Sequence, residues 1–352
     1  MKISNVQVTR IKMPRADPTW RTASYAGNAV EGFLLQIHAD GVTGLGGTAA
    51  HPRNISGDEL EAQLKGPIRS ALLGADPLSG NAIREIILKA NVHSRASICR
   101  PSSYDVTGKL ANLPCYALWG GAVPPRVRVV RMVGIKPPAE LETAVGKMVE
   151  AGITHFKVKI GTRLQEDVER IRVLRSAFGM RVWVGIDGNG AYQPDQAIEL
   201  SRALEHYNVG LIEQPIDYRD LDGLARVTAA SPIPIMADQC VTDVKSALEI
   251  CQRRAAHVVS VKSTKMGSLN ECRRVFEICQ AHGVRVHIGG SAGPAVVDVA
   301  MAQLAATLSG MDNECEVGEF QALEGDPTIG ARIENGWLEL NREPGWGLRL
   351  TA

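Results

Sequence analysis

The sequence has few aromatic residues and no hydrophobic segment long enough to cross a membrane as a helix. Phe, Trp and Tyr make up 5% of the 352 residues, and no run of about 18 consecutive apolar residues occurs. A basic segment followed by an apolar one, as in a secretory leader, is also missing. We therefore expect a soluble cytoplasmic protein with no membrane partner.

The sequence also lacks an excess of charge of either sign. The 39 basic and 38 acidic residues give a formal net charge of +1, which does not favour a nucleic-acid partner. The seven cysteines are odd in number, scattered and free of CxxC spacing, so they indicate reduced thiols and exclude a disulfide framework or a zinc site. The length predicts two domains, or one large domain with an appendage.

The first third of the chain has a mixed α and β pattern. ISNVQVTRIKMP alternates like a strand, and EGFLLQIHADGVTGLGGTAA predicts two strands joined at an Asp-Gly turn. Amphipathic stretches near 57–73 and 78–91 predict two helices. Because LWGGAVPP (118–125) is rich in Gly and Pro, we place a boundary there and predict a first domain over 1–121.

Short apolar runs alternate with amphipathic stretches in the next 200 or so residues. About eight strands and seven helices in this order predict a parallel sheet and a (β/α) barrel over 122–319. The tail, 320–352, predicts a small strand pair that returns to the first domain. The predicted fold class is α/β: a modified TIM barrel of (β/α)7β type with an α+β N-terminal domain completed by the tail.

Charged residues stand at the carboxyl ends of five successive predicted strands. Lys157 and Lys159 lie on one face of the second strand because they are two residues apart. The next four strands end in Asp187, Glu213, Asp238 and Lys262. Active sites of barrels lie at this face. Three converging carboxylates need a cation, and oxygen ligands favour Mg²⁺, with Mn²⁺ as the alternative.

The lysines suit proton transfer. Lys159 and Lys262 would face each other across the metal, and a nearby divalent cation lowers a lysine pKa towards neutrality. Lys157 would lie deeper than Lys159 or beside it, lower its pKa and contact a substrate carboxylate, while Asn189 would orient a ligand or water. The alternative is a non-catalytic barrel in which these charges form a structural salt-bridge cluster.

These motifs resemble the enolase superfamily, specifically the mandelate racemase/muconate lactonizing enzyme family. The resemblance covers nearly the whole chain and depends on KVK, DGNG, EQP, ADQ, VKSTKMGS and GKLANLPCYALWGG. The KxK pair with a sixth-strand lysine is similar to the muconate lactonizing subgroup. His287, on the seventh strand, falls about four residues ahead of the position of the catalytic histidine in the mandelate racemase subgroup, so we expect it to pack.

The resemblance implies a mechanism and a capping role for the first domain. Asp187, Glu213 and Asp238 would bind Mg²⁺, which stabilises the enediolate formed when a carboxylate substrate loses its α-proton. Lys159 and Lys262 would be the acid/base pair. Two loops of the capping domain, 14–28 and 47–56, would contact the substrate through the side chains of Trp20, Arg21, Tyr25 and His51.

Three departures from the family pattern are visible. Gln239 stands where relatives usually have Glu beside the fifth-strand Asp, so we expect a lower pKa for Lys262 than in those relatives. Pro101 interrupts an apolar helix pattern, which predicts either a late helix start or local disorder. The eighth strand lacks the Asp-x-Asp with which dipeptide epimerases hold an amine; Glu316 is the candidate substitute, and a dipeptide substrate is disfavoured.

Two opposed lysines allow three reactions from one enolate. We expect a racemase or epimerase of an amino-acid-derived carboxylate, N-substituted or proline-like, because both lysines are present. A lyase, such as a dehydratase, and a cycloisomerase are the alternatives. The expected partners are a small-molecule carboxylate substrate and further copies of the chain, since relatives form symmetric assemblies.

Overall fold

The computed structural model describes residues 1–51, 53–97, 101–121, 126–308 and 315–351. An antiparallel sheet comes first, in the order β1 (Ile3–Pro14), β2 (Ala29–Ala39), β3 (Val42–Ala49). Asp40 and Gly41 join β2 to β3 with φ angles of 47° and 78°, which is the geometry of a type I′ hairpin turn. The predicted hairpin is confirmed.

Helices pack on this sheet and share its apolar core. They are α1 (Gly57–Gln63), α2 (Arg69–Leu72), α3 (Gly80–Lys89), α4 (Ser94–Ser97) and α5 (Pro101–Ala111), with a π-helical turn, Leu64–Ile68, between α1 and α2. Pro101 is the first residue of α5, where a missing N–H is tolerated. The predicted late helix start is therefore confirmed; residues 98–100 lie outside the described residues.

Eight strands follow, of which the last seven are the parallel strands of the barrel sheet. They are β4 (Arg126–Arg128), β5 (Arg131–Val133), β6 (His155–Lys159), β7 (Trp183–Asp187), β8 (Ile212–Glu213), β9 (Ile235–Ala237), β10 (Val258–Val261) and β11 (Arg285–Ile288). Strands β5 to β11 form one seven-stranded sheet in sequence order. The first predicted barrel strand is split, because β4 pairs elsewhere and only β5 joins the sheet.

Helices alternate with these strands and cover the sheet. They are α6 (Pro138–Glu150), α7 (Leu164–Phe178), α8 (Pro194–Ala203), α9 (Leu221–Ala230), α10 (Val244–Arg253), α11 (Ser263–Met266), α12 (Leu269–Ala281) and α13 (Ala295–Ala305). Both faces of the sheet are buried, as apolar runs in parallel strands require. In the described ranges, no helix has both the length and the apolar character needed to span a membrane.

Among the described residues, the barrel closes at Cys315 of the predicted eighth strand. Cys315 forms parallel bridges to Val129 and Ile288, and Val130 N donates to Cys315 O at 2.9 Å. The last strand of the sheet is thereby joined to the first. Residues 312–314 of the predicted strand lie outside the described part of the chain. The predicted (β/α)7β architecture is confirmed.

The tail adds four short strands: β12 (Thr328–Ile329), β13 (Arg332–Glu334), β14 (Trp337–Glu339) and β15 (Arg349–Leu350). Strands β13 and β14 form the predicted hairpin and continue the pairing to β4. Trp346 Nε1 donates to Leu45 O at 3.1 Å, and Trp346 N donates to Asp105 Oδ1 at 2.7 Å. The tail therefore contacts the first part of the chain; the boundaries at 121 and 319 stay a prediction.

Candidate active site

Three carboxylates lie at the carboxyl ends of three consecutive strands. Asp187 and Glu213 are the last residues of β7 and β8 and are paired in register. Asp238 follows β9 directly. All three side chains are buried. The structure thus places the predicted acids side by side at one level of the barrel mouth.

Two lysines of β6 enter this layer from one side. Lys159 is in register with Asp187, and its Nζ contacts Asp187 Oδ2. Lys157 is fully buried, and its Nζ contacts Glu213 Oε2 and Glu316 Oε1. Burial lowers the pKa of Lys157, but the charges of Glu213 and Glu316 outweigh burial and raise it well above its usual value.

Lys157 is therefore a fixed cation inside the barrel. Lys157 takes the deeper of its two predicted positions. Its predicted contact with a substrate carboxylate is not supported, because protein carboxylates enclose its ammonium group. Its place here is to neutralise the acids around it.

Lys262 enters from the opposite side. It follows β10 directly, and its Nζ lies 3.0 Å from Asp238 Oδ1 and 3.7 Å from Glu213 Oε1. Burial lowers the pKa of Lys262, yet the charges of Asp238 and Glu213 raise it above its usual value overall. The sequence predicted that a neighbouring divalent cation lowers the pKa of Lys262 towards neutrality. The neighbouring carboxylates act in the opposite direction and raise this pKa.

A fourth lysine, Lys265, belongs to the cluster and was missed by the sequence reasoning. Its Nζ donates to Asp238 O at 2.5 Å, Asp238 Oδ1 at 2.8 Å and Ser260 O at 3.1 Å. Against the effect of burial, Lys262 and Lys265 hold the pKa of Asp238 well below its usual range. Lys262 has an extended backbone and precedes the four-residue helix that carries Lys265, so no helical periodicity links the two lysines.

Glu316 and His287 lie behind Lys157 and not at the mouth. His287 Nε2 and Glu316 Oε1 are 2.9 Å apart, and Gly290 N donates to Glu316 Oε2 at 2.7 Å. Both side chains are buried. The packing role predicted for His287 agrees with this position. The substrate contact predicted for Glu316 does not agree with its position, because both of its carboxylate oxygens are already bonded inside the barrel.

Oxygen atoms at the mouth are left without partners. Within the described part of the chain, Glu213 Oε1, Asn189 Oδ1 and Gln239 Oε1 are buried and accept no hydrogen bond. Asn189 is held next to the acids, since its Nδ2 donates to Asp187 Oδ2 at 3.1 Å. Burial and the charge of Asp187 raise the pKa of Glu213 to about 7. The cluster therefore has acceptors without hydrogen-bond donors, and negative charge at Glu213 is disfavoured where it stands.

These residues fit a hard divalent cation. Each acid contacts at least one lysine, and among the described residues no three acidic, histidine or cysteine side chains are grouped closely enough to hold a metal as they stand. Reorientation of the carboxylates from the lysines towards a common centre would supply three oxygen ligands, the set that Mg²⁺ and Mn²⁺ prefer. The unpartnered oxygens of Asn189 and Gln239 lie beside that set.

The predicted substrate loops cross the barrel mouth. Arg21 O accepts from Ile135 N at 2.9 Å, so the first loop meets the end of the first barrel strand. The Trp20 ring is buried, with the Arg15 guanidinium 4.1 Å from its centroid. The Trp20 side chain therefore packs within the loop. The exposed Arg21 side chain is the better candidate for substrate contact.

The second loop begins later than predicted, because β3 extends to Ala49. The Tyr25 and His51 rings are 4.8 Å apart and join the two loops. Burial lowers the pKa of His51 to about 3, and the charges of Arg95 and Lys262 add to this effect. His51 therefore lies within electrostatic range of Lys262, as a residue at the mouth should.

Comparison with known proteins identifies the family. The model of the family described as Enolase C-terminal domain-like matches residues 140–352. The chain belongs to this family. The resemblance inferred from the motifs is confirmed.

Relatives from this family are similar in sequence to nearly the whole chain. The hydrophobic dipeptide epimerase of Enterococcus faecalis is 28% identical over 99% of this chain and 99% of its own. Muconate cycloisomerase 1-2 of Acinetobacter lwoffii is 27% identical over 99% of this chain and 93% of its own. Both relatives are isomerases, so the predicted enzyme class is confirmed.

A solved structure of this family agrees with the fold. The crystal structure of the dipeptide epimerase from Enterococcus faecalis V583, complexed with Mg and the dipeptide L-Leu-L-Tyr, superposes with a TM-score of 0.94. It is 27% identical and covers 99% of each chain. That enzyme is complexed with the metal that the acids of this chain fit.

Proposed function

We propose that the protein racemises or epimerises an amino-acid-derived carboxylate, N-substituted or proline-like, in a Mg²⁺-dependent reaction at the α-carbon. The observation that carries the proposal is the position of Lys159 and Lys262. They stand at the ends of β6 and β10, with the three acid-bearing strands between them. A substrate held over the acids presents one face of its α-carbon to each lysine.

Asp187, Glu213 and Asp238 would hold the Mg²⁺, or Mn²⁺ in its place, with Asn189 and Gln239 next to them. When bound, the cation supplies positive charge that stabilises the negative charge spread onto the substrate carboxylate as the α-proton leaves. An α-proton beside a carboxylate is too weakly acidic for an amine to remove without such stabilisation.

The charges at the mouth support this assignment. Four carboxylates and four ammonium groups form one network of ion pairs and are neutral together: Asp187, Glu213, Asp238, Glu316, Lys157, Lys159, Lys262 and Lys265. A bound divalent cation would leave two excess positive charges, or one when a catalytic lysine has lost its proton to act as the base. That excess complements a carboxylate substrate that takes up a second negative charge.

The two lysines act in turn. Lys159, as the free amine, takes the proton from one face, and the Lys262 ammonium returns a proton to the other face; the reverse reaction exchanges the roles. Lys157 keeps Glu213 and Glu316 ionised and in place. Lys265 fixes Asp238 through both its main-chain and side-chain oxygens.

A cycloisomerase is the second candidate, because a muconate cycloisomerase is similar over almost the whole chain. That reaction uses the same enolate but forms or breaks a bond at a more remote carbon. A lyase would expel a β-leaving group from the same enolate. Both alternatives need only one lysine as the base, whereas racemisation needs both.

Hydrogen exchange tests the proposal. N-acyl amino acids, proline derivatives and dipeptides are incubated with the protein and Mg²⁺ in D₂O, and the α-proton signal is followed by NMR. A racemase or epimerase exchanges the α-proton of both stereoisomers. The optical rotation falls to zero for a substrate with one stereocentre and changes to a new value for a dipeptide. Exchange from one enantiomer followed by elimination supports the lyase instead. No exchange across the library contradicts the proposal.

Substitution of the lysines tests the two-base mechanism. Lys159→Ala and Lys262→Ala should each lower racemisation by about 10²- to 10⁴-fold, the usual contribution of an acid/base group. The control is Lys245→Ala, which removes an exposed lysine of α10 and should leave the rate unchanged. Full racemisation by either site variant contradicts the mechanism.

A further inference from the structure

A buried guanidinium lies where the first part of the chain meets the barrel. Arg95, on α4, is 7% exposed. Its Nη1 donates to Ala49 O at 2.9 Å, while its Nε is buried and has no hydrogen-bond partner. No carboxylate in the described ranges forms an ion pair with it. The positive charge of Arg95 is therefore not compensated within the described part of the chain.

Uncompensated burial is unusual for an arginine. It lowers the pKa of Arg95 to about 10, and Tyr25 is the group that opposes this effect. A buried cation without a partner destabilises the fold, so such groups concentrate at sites where a ligand supplies the opposite charge. Arg170, a buried arginine of the barrel, differs from Arg95 because it contacts the carboxylate of Asp167.

Contacts place Arg95 on the Lys262 side of the mouth. Ser94 Oγ, one residue before it, donates to Thr264 O at 2.8 Å, and Thr264 is two residues after Lys262. His51 lies within electrostatic range of both Arg95 and Lys262. A ligand at the acids and Lys262 that extends past His51 would reach the guanidinium.

We propose that Arg95 binds a second anionic group of the substrate, remote from the carboxylate at the acids. The inference rests on the proposed function and narrows its substrate class to amino-acid derivatives with a distal carboxylate, on the N-acyl group or the side chain. The Nε–Nη2 edge of the guanidinium is the one that Ala49 leaves unused. Such an edge binds a carboxylate through two parallel hydrogen bonds.

A purely structural role makes a different prediction. If Arg95 only ties the end of β3 through Ala49 O, its loss weakens the fold and affects all substrates alike. If Arg95 recognises an anion, its loss weakens only ligands that carry the distal carboxylate. A matched pair of ligands separates the two roles.

The probes are N-succinyl-2-aminoisobutyrate and N-butanoyl-2-aminoisobutyrate. They differ only in the distal carboxylate and have no α-hydrogen, so calorimetry with Mg²⁺ present measures their binding without turnover. The wild-type protein should bind the succinyl probe about tenfold more tightly or better, as charge-assisted bidentate hydrogen bonds do. Arg95→Gln should remove this preference and keep the affinity for the butanoyl probe.

Arg202→Gln is the control, because Arg202 is an exposed cation in the last turn of α8 and its loss should leave the preference intact. If Arg95→Gln fails to fold, Arg95→Lys replaces it and should reduce the preference without abolishing it. Equal binding of both probes to the wild type, or an unchanged preference in the Arg95 variant, overturns the inference alone. Binding of neither probe overturns the proposed function as well.

Discussion

At the scale of single residues, the site is built by lysine–carboxylate pairs whose members come from different strands. Strand parity predicted that Lys157 and Lys159 share a face, and the structure confirms it. The partner of Lys157, Glu316, was not foreseen because the contact joins strands far apart in sequence through closure of the barrel. Side-chain pairing across a closed barrel is therefore the part that strand patterns cannot predict.

Loss of Lys157 should destabilise the fold strongly. Lys157→Met removes the shared cation and leaves Glu213 and Glu316 facing each other in the interior. Removal of one partner of a buried ion pair costs about 3–5 kcal/mol of unfolding free energy, which chemical denaturation measures. The exposed Lys147→Met on α6 is the control, with a change of about 0.5 kcal/mol or less. Equal stability of both variants would show that Lys157 is not a required counterion.

Lys265 shows a second limit of sequence reasoning at this scale. Lys262 was recognised because it ends an apolar strand, and Lys265 belongs to the four-residue helix α11 that follows. A helix of this length has no periodic pattern of its own. The contact with Asp238 is visible only when β9 and β10 are placed side by side.

At the scale of elements, the barrel was predictable because buried parallel strands appear as continuous apolar runs. The prediction failed where tertiary pairing overrides the local pattern. The run 127–134 was predicted as one strand, yet β4 pairs with β14 of the tail and β5 pairs with β6. Pairing of β4 with a strand some 200 residues later leaves no signal in the local sequence.

We expect His155, the first residue of β6, to make the stability of the protein depend on pH. Burial and the charge of Arg128 lower the pKa of His155 to about 4, whereas an unfolded histidine has a pKa of about 6.5. Between these values the unfolded chain binds more protons. The unfolding free energy contributed by His155 is therefore complete above pH 6.5 or so and decreases as the pH falls towards 4.

Urea denaturation at about pH 7 and pH 5 measures this effect. The wild type should lose more unfolding free energy on acidification than His155→Gln does. The difference should stay well below the single-group limit of about 1.4 kcal/mol per pH unit, since the ring is partly exposed and screened. His206→Gln, at an exposed histidine, should behave like the wild type. An identical acid loss in His155→Gln would contradict the assignment.

At the scale of the whole molecule, the tail joins the two ends of the chain. Trp346 is 1% exposed and bonds to Leu45 of β3 and to Asp105 of α5. The return of the tail to the first domain was predicted from its strand-like pattern. The anchoring residue was not, because nothing in the local sequence distinguishes Trp346 from the other tryptophan of the tail, Trp337.

Removal of this anchor should destabilise the protein. Trp346→Ala leaves a cavity and removes the donor to Leu45 O, while the main-chain bond to Asp105 is kept. A loss of about 3–5 kcal/mol in unfolding free energy is expected. The control is Ile329→Ala, because Ile329 lies in the same tail but is 55% exposed and should change stability by about 0.5 kcal/mol or less. A Trp346→Ala protein as stable as the control would mean that the tail does not hold the molecule together.

The central claim is that three acids gather one divalent cation between two opposed lysines. A crystal of the protein grown with Mn²⁺, examined by anomalous diffraction, tests it most directly. The claim predicts one anomalous peak at the barrel mouth, with an oxygen of Asp187, Glu213 and Asp238 each about 2.0–2.3 Å away, and with Lys159 and Lys262 on opposite sides. A map without a peak at these acids, or a peak bound by other residues, would contradict it.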